Sequence, residues 1–201
     1  MICEPTMKNI ALFDVRREGA GYTAHDAFNL VASSDEWMSP IFADVGPDGA
    51  IYFADWHEGW PKSNKGRIYR AVFPEVIADP VVAQTKSLLG EGMSKRPESE
   101  LLTLLAHRDM RVRQEAQFEL AGRGLPSFGG LLDTSWEHAN PLARLHAIWG
   151  IGQLARHQPT NAFADELFGL VGLLKETDPH VRAAAATVLS ESRLLNASAP
   201  L

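Results

Sequence analysis

The chain carries a single cysteine, Cys3. One cysteine cannot close an intrachain disulfide, complete a CxxCH haem-attachment site or build a multi-thiolate zinc site. By itself Cys3 reads as a small apolar residue rather than a nucleophile. Basic clusters are also missing. No run of Lys or Arg is longer than two, and 19 basic residues face 25 acidic ones for a net charge of −6. Nucleic-acid binding therefore has little electrostatic support. The apolar runs are too short to span a bilayer. The opening MICEPTMKNI has neither a basic start nor an apolar stretch, so it does not read as a signal peptide. The expectation from the chain itself is a cytoplasmic protein with no membrane span.

What is present is ordinary for a folded protein. Hydrophobic residues make up 45% and charged residues 22% of 201, enough for one or two domains. The texture changes along the chain. Residues 1–76 are rich in Gly, Asp, aromatic and β-branched residues, with Trp37, Trp56 and Trp60 among them. Residues 77–96 include Pro80, Gly90 and Gly92 and read as a linker with one short helix around Val82–Leu89. Residues 97–193 turn to Leu, Ala, Arg and Glu, and 194–201 read as a tail.

The first part reads as strands. Asn9–Val15 and Tyr22–Ala32 are extended candidates, and the residues before Asn9 are expected to be poorly ordered. The clearest local signal is IFADV-GPDG-AIYFADW. Pro47 presets φ and Asp48-Gly49 offers a positive-φ position, so a tight hairpin follows. Alternation places Ile51 and Phe53 on one face, Tyr52 and Ala54 on the other. A third run, Arg67–Phe73, completes an antiparallel meander, the unit of a propeller blade.

The second part repeats itself. Asp109-Met-Arg-Val112-Arg113-Gln-Glu-Ala116 matches Asn140-Pro-Leu-Ala143-Arg144-Leu-His-Ala147 and Asp178-Pro-His-Val181-Arg182-Ala-Ala-Ala185. The intervals are 31 and 38 residues, a period that means stacked helical units. Asp or Asn is a preferred N-cap, and Pro141 and Pro179 suit the first helical position. The small apolar residues three and seven after the cap share one face. Each such helix follows another amphipathic segment. Leu101, Leu104 and Leu105 line the first. Leu167, Leu170, Val171 and Leu174 form an α-helical stripe in the third. The middle one, near Leu125–Leu132, is weakened by Gly129 and Gly130.

The D/N-x-x-V/A-R-x-x-A triplet resembles HEAT repeats over 97–193. DVGPDGAIYFADW followed by GRIYRAVF resembles a blade of the six-bladed sorbosone/glucose-dehydrogenase-type propellers. In this order the chain is similar to large bacterial membrane-bound dehydrogenases that join such a propeller to HEAT repeats and then to a c-type cytochrome domain. The leading CEP and FNLVASSDEW also look like that family's final blades. The resemblance spans nearly the whole chain but only the middle of such a protein. It implies a periplasmic redox ancestry, with haem c or quinone held in a full-length relative and no cofactor in this chain. No catalytic residue carries over, since the blades expected to hold one would precede Met1.

Candidate chemistry is sparse. Asp55, His57 and Glu58 in ADWHEGW could ligate a metal, but their spacing fits no metal template and strand alternation separates Glu58 from the other two. The reading is a polar loop, with Trp56 and Trp60 covering a small sheet. Asp44 and Asp48 could suggest calcium, yet the turn already accounts for them. Arg113, Arg144 and Arg182 share one repeat position and are expected to pair with acidic groups or carbonyls between repeats. His107, His138, His146, His157 and His180 read as surface or half-buried. Asn196-Ala-Ser matches a glycosylation acceptor in the tail.

The expected fold is thus α+β: a small antiparallel β-meander made of partial propeller blades, then a HEAT-like α-solenoid of three helical hairpins. The expected function is a non-catalytic structural or protein-interaction module, a fragment of a larger haem-containing sugar or alcohol dehydrogenase-like protein. The alternative is part of an active quinone- or haem-dependent dehydrogenase. No catalytic, cofactor-binding or metal residue is assigned. The terminal hairpin, with Val181, Ala184, Ala185, Val188 and Leu189, is expected to present an uncovered apolar face to a protein partner or to missing domains.

Overall fold

A computed structural model describes residues 1–57, 64–156 and 167–191. The chain is α+β, with two small antiparallel sheets followed by helices. It divides into two compact units, Met1–Lys86 and Ser87–Leu201.

In the first unit, β1 (Ile2–Glu4), β2 (Asn9–Glu18) and β3 (Gly21–Ala32) form one sheet in that order. β4 (Pro40–Val45), β5 (Ile51–Asp55) and β6 (Arg67–Ala71) form the other. The residues before Asn9 are not ragged, contrary to the expectation. Cys3 pairs with Ile10, and the return turn is closed by Met7 N–H to Glu4 O at 3.1 Å and Lys8 N–H to Pro5 O at 3.2 Å. A hairpin this short closes at little entropic cost, and Cys3 packs against buried Ile10, Met38 and Phe53. Burial raises the Cys3 thiol pKa, which suits an apolar role.

The Gly46–Gly49 turn forms as its residues demand. Gly49 N–H donates to Gly46 O at 3.0 Å, and Gly49 takes φ +75°. Along β5, Ile51, Phe53 and Asp55 are buried while Tyr52 is exposed, the expected alternation. Phe53 stacks on Tyr69 of β6, with ring centroids 4.9 Å apart. Asp48 does more than turn the chain. Its carboxylate accepts from Ala50 N–H, from Tyr52 Oη and from Arg70 at 2.7 Å. The Arg70 hydrogen bond is the main reason that its pKa falls to about 2. Asp48→Asn should therefore keep the turn and lose only the ion pair. Asp48→Ala should also free Ala50 N–H, which is measurable as faster amide exchange at that residue in the alanine variant alone.

α1 (Pro74–Ile77) leads into the stretch read as a linker, and α2 (Pro80–Glu91) makes most of that stretch helical, beyond the short helix expected around Val82–Leu89. Both begin on proline, and Asp79 caps α2 by accepting from Val81 N–H at 3.0 Å. Gly92 ends α2 in the left-handed conformation, φ +76°.

The second unit contains α3 (Glu98–Leu104), α4 (Met110–Gly122), a 3-10 turn (Leu125–Ser127) and α5 (Phe128–Glu137). Then follow α6 (Pro141–Arg156), a 3-10 helix (Phe168–Lys175) and α7 (Pro179–Glu191). Elements adjacent in sequence touch, α3 with α4, α5 with α6 and the 3-10 helix with α7, and all contribute to one apolar core. The repeated positions carry it: Val112, Ala143 and Val181, with Ala116, Ala147 and Ala185, are all 0% exposed. Small residues there let α4, α6 and α7 approach closely. Gly152 adds to this, since a Cβ on it would stand 2.8 Å from Val188 Cγ2. Gly130, which weakens α5 as a helix former, admits Leu102 of α3: a Cβ there would meet its Cδ1 at 2.7 Å.

Two expectations fail in this unit. Phe168–Lys175 is wound as a 3-10 helix where the apolar stripe implied an α-helix, so Leu167, Leu170 and Leu173 turn inward while Val171 and Leu174 are exposed. The apolar stripe of the last helix is not uncovered either. Val181, Ala184, Ala185, Val188 and Leu189 are all buried, because α6 and the 3-10 helix pack over them.

Candidate functional site

Three polar constellations stand out, one in the first unit and two in the second. In the first, Asp55 ends β5 with a fully buried side chain and accepts from Ser39 N–H at 2.7 Å. Its second oxygen lies 3.7 Å from His57 Nδ1. His57 Nε2 meets Arg67 Nη2 at 3.0 Å. Arginine can only donate, so Nε2 accepts and the ring proton sits on Nδ1, toward Asp55. Arg67 also donates to Asp35 at 3.2 Å and to the Tyr69 hydroxyl at 3.1 Å. The Trp37 N–H bond, the largest cause, and Arg67 hold the Asp35 carboxyl below its usual range.

The structure thus brings Asp55 and His57 together, as alternation requires. Glu58 and Trp60 lie outside the described residues. Trp56 is 38% exposed and only partly covers the sheet. Arg67 already spends its donors on Asp35, Tyr69 and His57. The cluster ties the 33–39 loop to β5 and β6. Among the described residues, no group of three or more His, Cys, Asp or Glu could hold a metal ion.

The second constellation repeats at the turns of the helical pairs. Asp109 accepts from Arg111 N–H, Asn140 from Leu142 N–H and Asp178 from His180 N–H, at 2.9, 2.9 and 2.8 Å. These are the N-caps that the sequence motif requires. Four residues on, Arg113 donates to the carbonyls of His107 and Arg108 at 2.7 and 2.8 Å. Arg182 does the same to Glu176 and Thr177. These two arginines therefore close their own turns rather than bridge repeats, because the carbonyls left by the preceding helix lie within reach. Arg144 departs from the pattern. Its Nε donates to Ser135 O at 2.8 Å, and its guanidinium pairs with Glu176 of the third turn at 2.9 Å. One part of the motif escaped the sequence reading. His107 and His138, two residues before their caps, accept the cap N–H on Nδ1 at 3.0 and 2.9 Å.

Between α4 and α6 lies a buried network. His146 Nδ1 donates to Gln117 Oε1 at 2.7 Å, and Gln117 Nε2 donates to Gln153 Oε1 at 2.9 Å. His146 is 5% exposed, where a surface or half-buried residue was expected, and His180 is buried too. Burial, aided by the Arg113 charge, lowers the His146 pKa to about 4, so the ring is neutral. His157 and Asn196 fall outside the described residues.

Above this network the surface turns aromatic. Phe118 and Trp149 stand nine residues after their respective caps and are 42% and 41% exposed. Trp149 meets His146 edge-on, with centroids 5.1 Å apart. Shallow grooves run along α4, one lined by Leu89, Met93, Arg111 and Gln114, the other by Phe118, Gly122, Gln153 and Arg156. Among the described residues, no helix is long and apolar enough to cross a membrane.

Residues 1–66 match the family model of a domain of unknown function, DUF7133. The match ends just before β6. No curated protein and no solved structure matches the chain.

Proposed function

We propose that the second unit is a HEAT-like stack of three helical hairpins and that the chain serves as a protein-interaction module. The recurrence of one turn chemistry carries this reading: an Asx cap, an arginine four residues later and small residues on the packed face, three times over. Such units bury their apolar faces only by stacking, which leaves a continuous outer surface for other proteins. The aromatic pair Phe118 and Trp149, at matching places on neighbouring helices, marks where binding is centred. Half-exposed aromatics flanked by polar groups are the usual anchors of protein interfaces. The first unit serves as an accessory sheet domain of dehydrogenase ancestry, with no cofactor in this chain.

The test uses the whole chain. Phe118→Ala with Trp149→Ala removes two half-exposed aromatics and should cost about 1–3 kcal/mol of stability, with the fold retained by circular dichroism. A protein bound by the wild-type chain should be lost by the double variant. Unchanged binding would remove the aromatic pair from the interface. Dye reduction with aldoses, a quinone cofactor and calcium should show no turnover; measurable turnover would replace this reading with an enzymatic one.

A further inference from the structure

The helix Phe168–Lys175 holds 3-10 geometry over eight residues, where such runs rarely exceed four. Its end closes on an i→i+3 bond, Glu176 N–H to Leu173 O at 3.2 Å. Side chains three apart eclipse in this geometry. Leu167, Leu170 and Leu173 are therefore buried at 3%, 0% and 0% exposure, while Phe168, Val171 and Leu174 face solvent at 56%, 39% and 38%.

The same residues carry a second register. In an α-helix Leu167, Leu170, Val171 and Leu174 fall on one face and Leu173 turns away. The segment is apolar around its circumference, so either winding offers an inward stripe. The α form would bury four apolar side chains where the 3-10 form buries three.

Specific contacts favour the 3-10 form. Trp136 of α5 donates its indole N–H to Gly169 O at 2.9 Å. Gly169 and Gly172 both lie against α5: a Cβ on Gly169 would meet Leu132 at 3.1 Å, and one on Gly172 would meet the Trp136 ring at 2.6 Å. Eclipsing puts both glycines on that one face, whereas an α-helix would set them about 60° apart. At the other end Glu176 is held by the Arg144 ion pair and by Arg182 on its carbonyl.

We propose that Phe168–Lys175 is a two-state element, held as a 3-10 helix by Trp136 and the contacts to Glu176, and converting to an α-helix when Trp136 lets go. Conversion rotates Val171 and Leu174 inward and shortens the segment by about 0.5 Å per residue. Val171 and Leu174 leave the surface in the α state while Leu173 joins Phe168 there, so three exposed apolar side chains become two.

Through-hydrogen-bond NMR couplings report which carbonyl each amide of 171–175 bonds. The wild-type chain should show i→i+3 partners. Trp136→Phe should shift them to i→i+4 and lower the fluorescence of a hydrophobic dye. A wild type already bonded i→i+4, or a folded Trp136→Phe that keeps i→i+3, overturns the proposal. A second pair of variants decides the matter if Trp136→Phe does not fold. Leu170 faces inward in both windings and Leu173 in only one. Leu173→Gln should therefore melt well above Leu170→Gln, and equal melting temperatures overturn the proposal.

Discussion

Arg113→Ala should lower the stability of the helical unit by about 2–4 kcal/mol, a fall in melting temperature of roughly 10 °C. The side chain is 7% exposed and satisfies two carbonyls, His107 O and Arg108 O, through charge-assisted bonds of 2.7 and 2.8 Å. Truncation leaves both carbonyls without that donor and removes a buried side chain from the turn. Burial already lowers the Arg113 pKa, but a guanidinium keeps its charge across the working range, so the bonds persist. Arg113→Lys should recover only part of the loss, because one ammonium cannot reproduce the planar fork. Arg111→Ala is the control. Arg111 bonds mainly to its own Asp109, two residues away, and its side chain is 30% exposed. Chemical denaturation of the three variants makes the comparison. A loss below 1 kcal/mol for Arg113→Ala would show that water replaces the guanidinium in that turn.

The second large effect is acid sensitivity from His146. The ring is neutral in the fold with a pKa near 4, against 6.5 for the free group. A depressed folded pKa means that the unfolded chain takes up the proton first. The contribution is complete above about pH 6.5, shrinks as the pH falls, and is gone near pH 4. Screened as such groups are, the loss is about 2 kcal/mol. Burial of the ring is the main cause, and the groups facing His146 add to it. Gln117 needs the ring as a donor on Nδ1, which either form supplies, but Arg113 repels the charged ring. Carboxylates with lowered pKa, such as Asp109 on the neighbouring turn, act only at lower pH, so the upper part of the window belongs to histidine. His146→Gln keeps a donor for Gln117 Oε1 and cannot titrate. Its stability should stay flat between pH 6.5 and 5 while the wild type declines. Parallel curves would place the acid sensitivity elsewhere. Arg113→Ala should also raise the His146 pKa, a link between the two predictions that NMR titration can follow.

Local chemistry was legible wherever a residue acts on its own neighbours. Asp109, Asn140 and Asp178 cap their helices because an Asx oxygen reaches an N–H two residues away in any helix start. Gly49 turns the β4–β5 hairpin because its missing Cβ permits positive φ. The repeat spacing implied that Val112, Ala143 and Val181 share an inward face, and all three are fully buried. What concerned distant neighbours was hidden. Neither His146 nor His107 carries a mark of its partner, since Gln117 is 29 residues from the one and the cap N–H contact of the other depends on the turn's shape.

The amino-acid sequence by itself therefore determined the change from strands to helices, the β4–β5 hairpin, the capped starts of α4, α6 and α7, and the small-residue face on which they pack. These follow from backbone sterics, capping and periodicity, which act over a few residues. The tertiary structure alone decided three things. It placed Arg113 and Arg182 on their own turns but sent Arg144 across to Glu176. It buried the apolar face of α7 that had been read as open. It wound Phe168–Lys175 as a 3-10 helix although its sequence also suits an α-helix. In each case several local arrangements are close in energy, and the packing of neighbouring helices, through close glycines and a few directed hydrogen bonds, selects one of them.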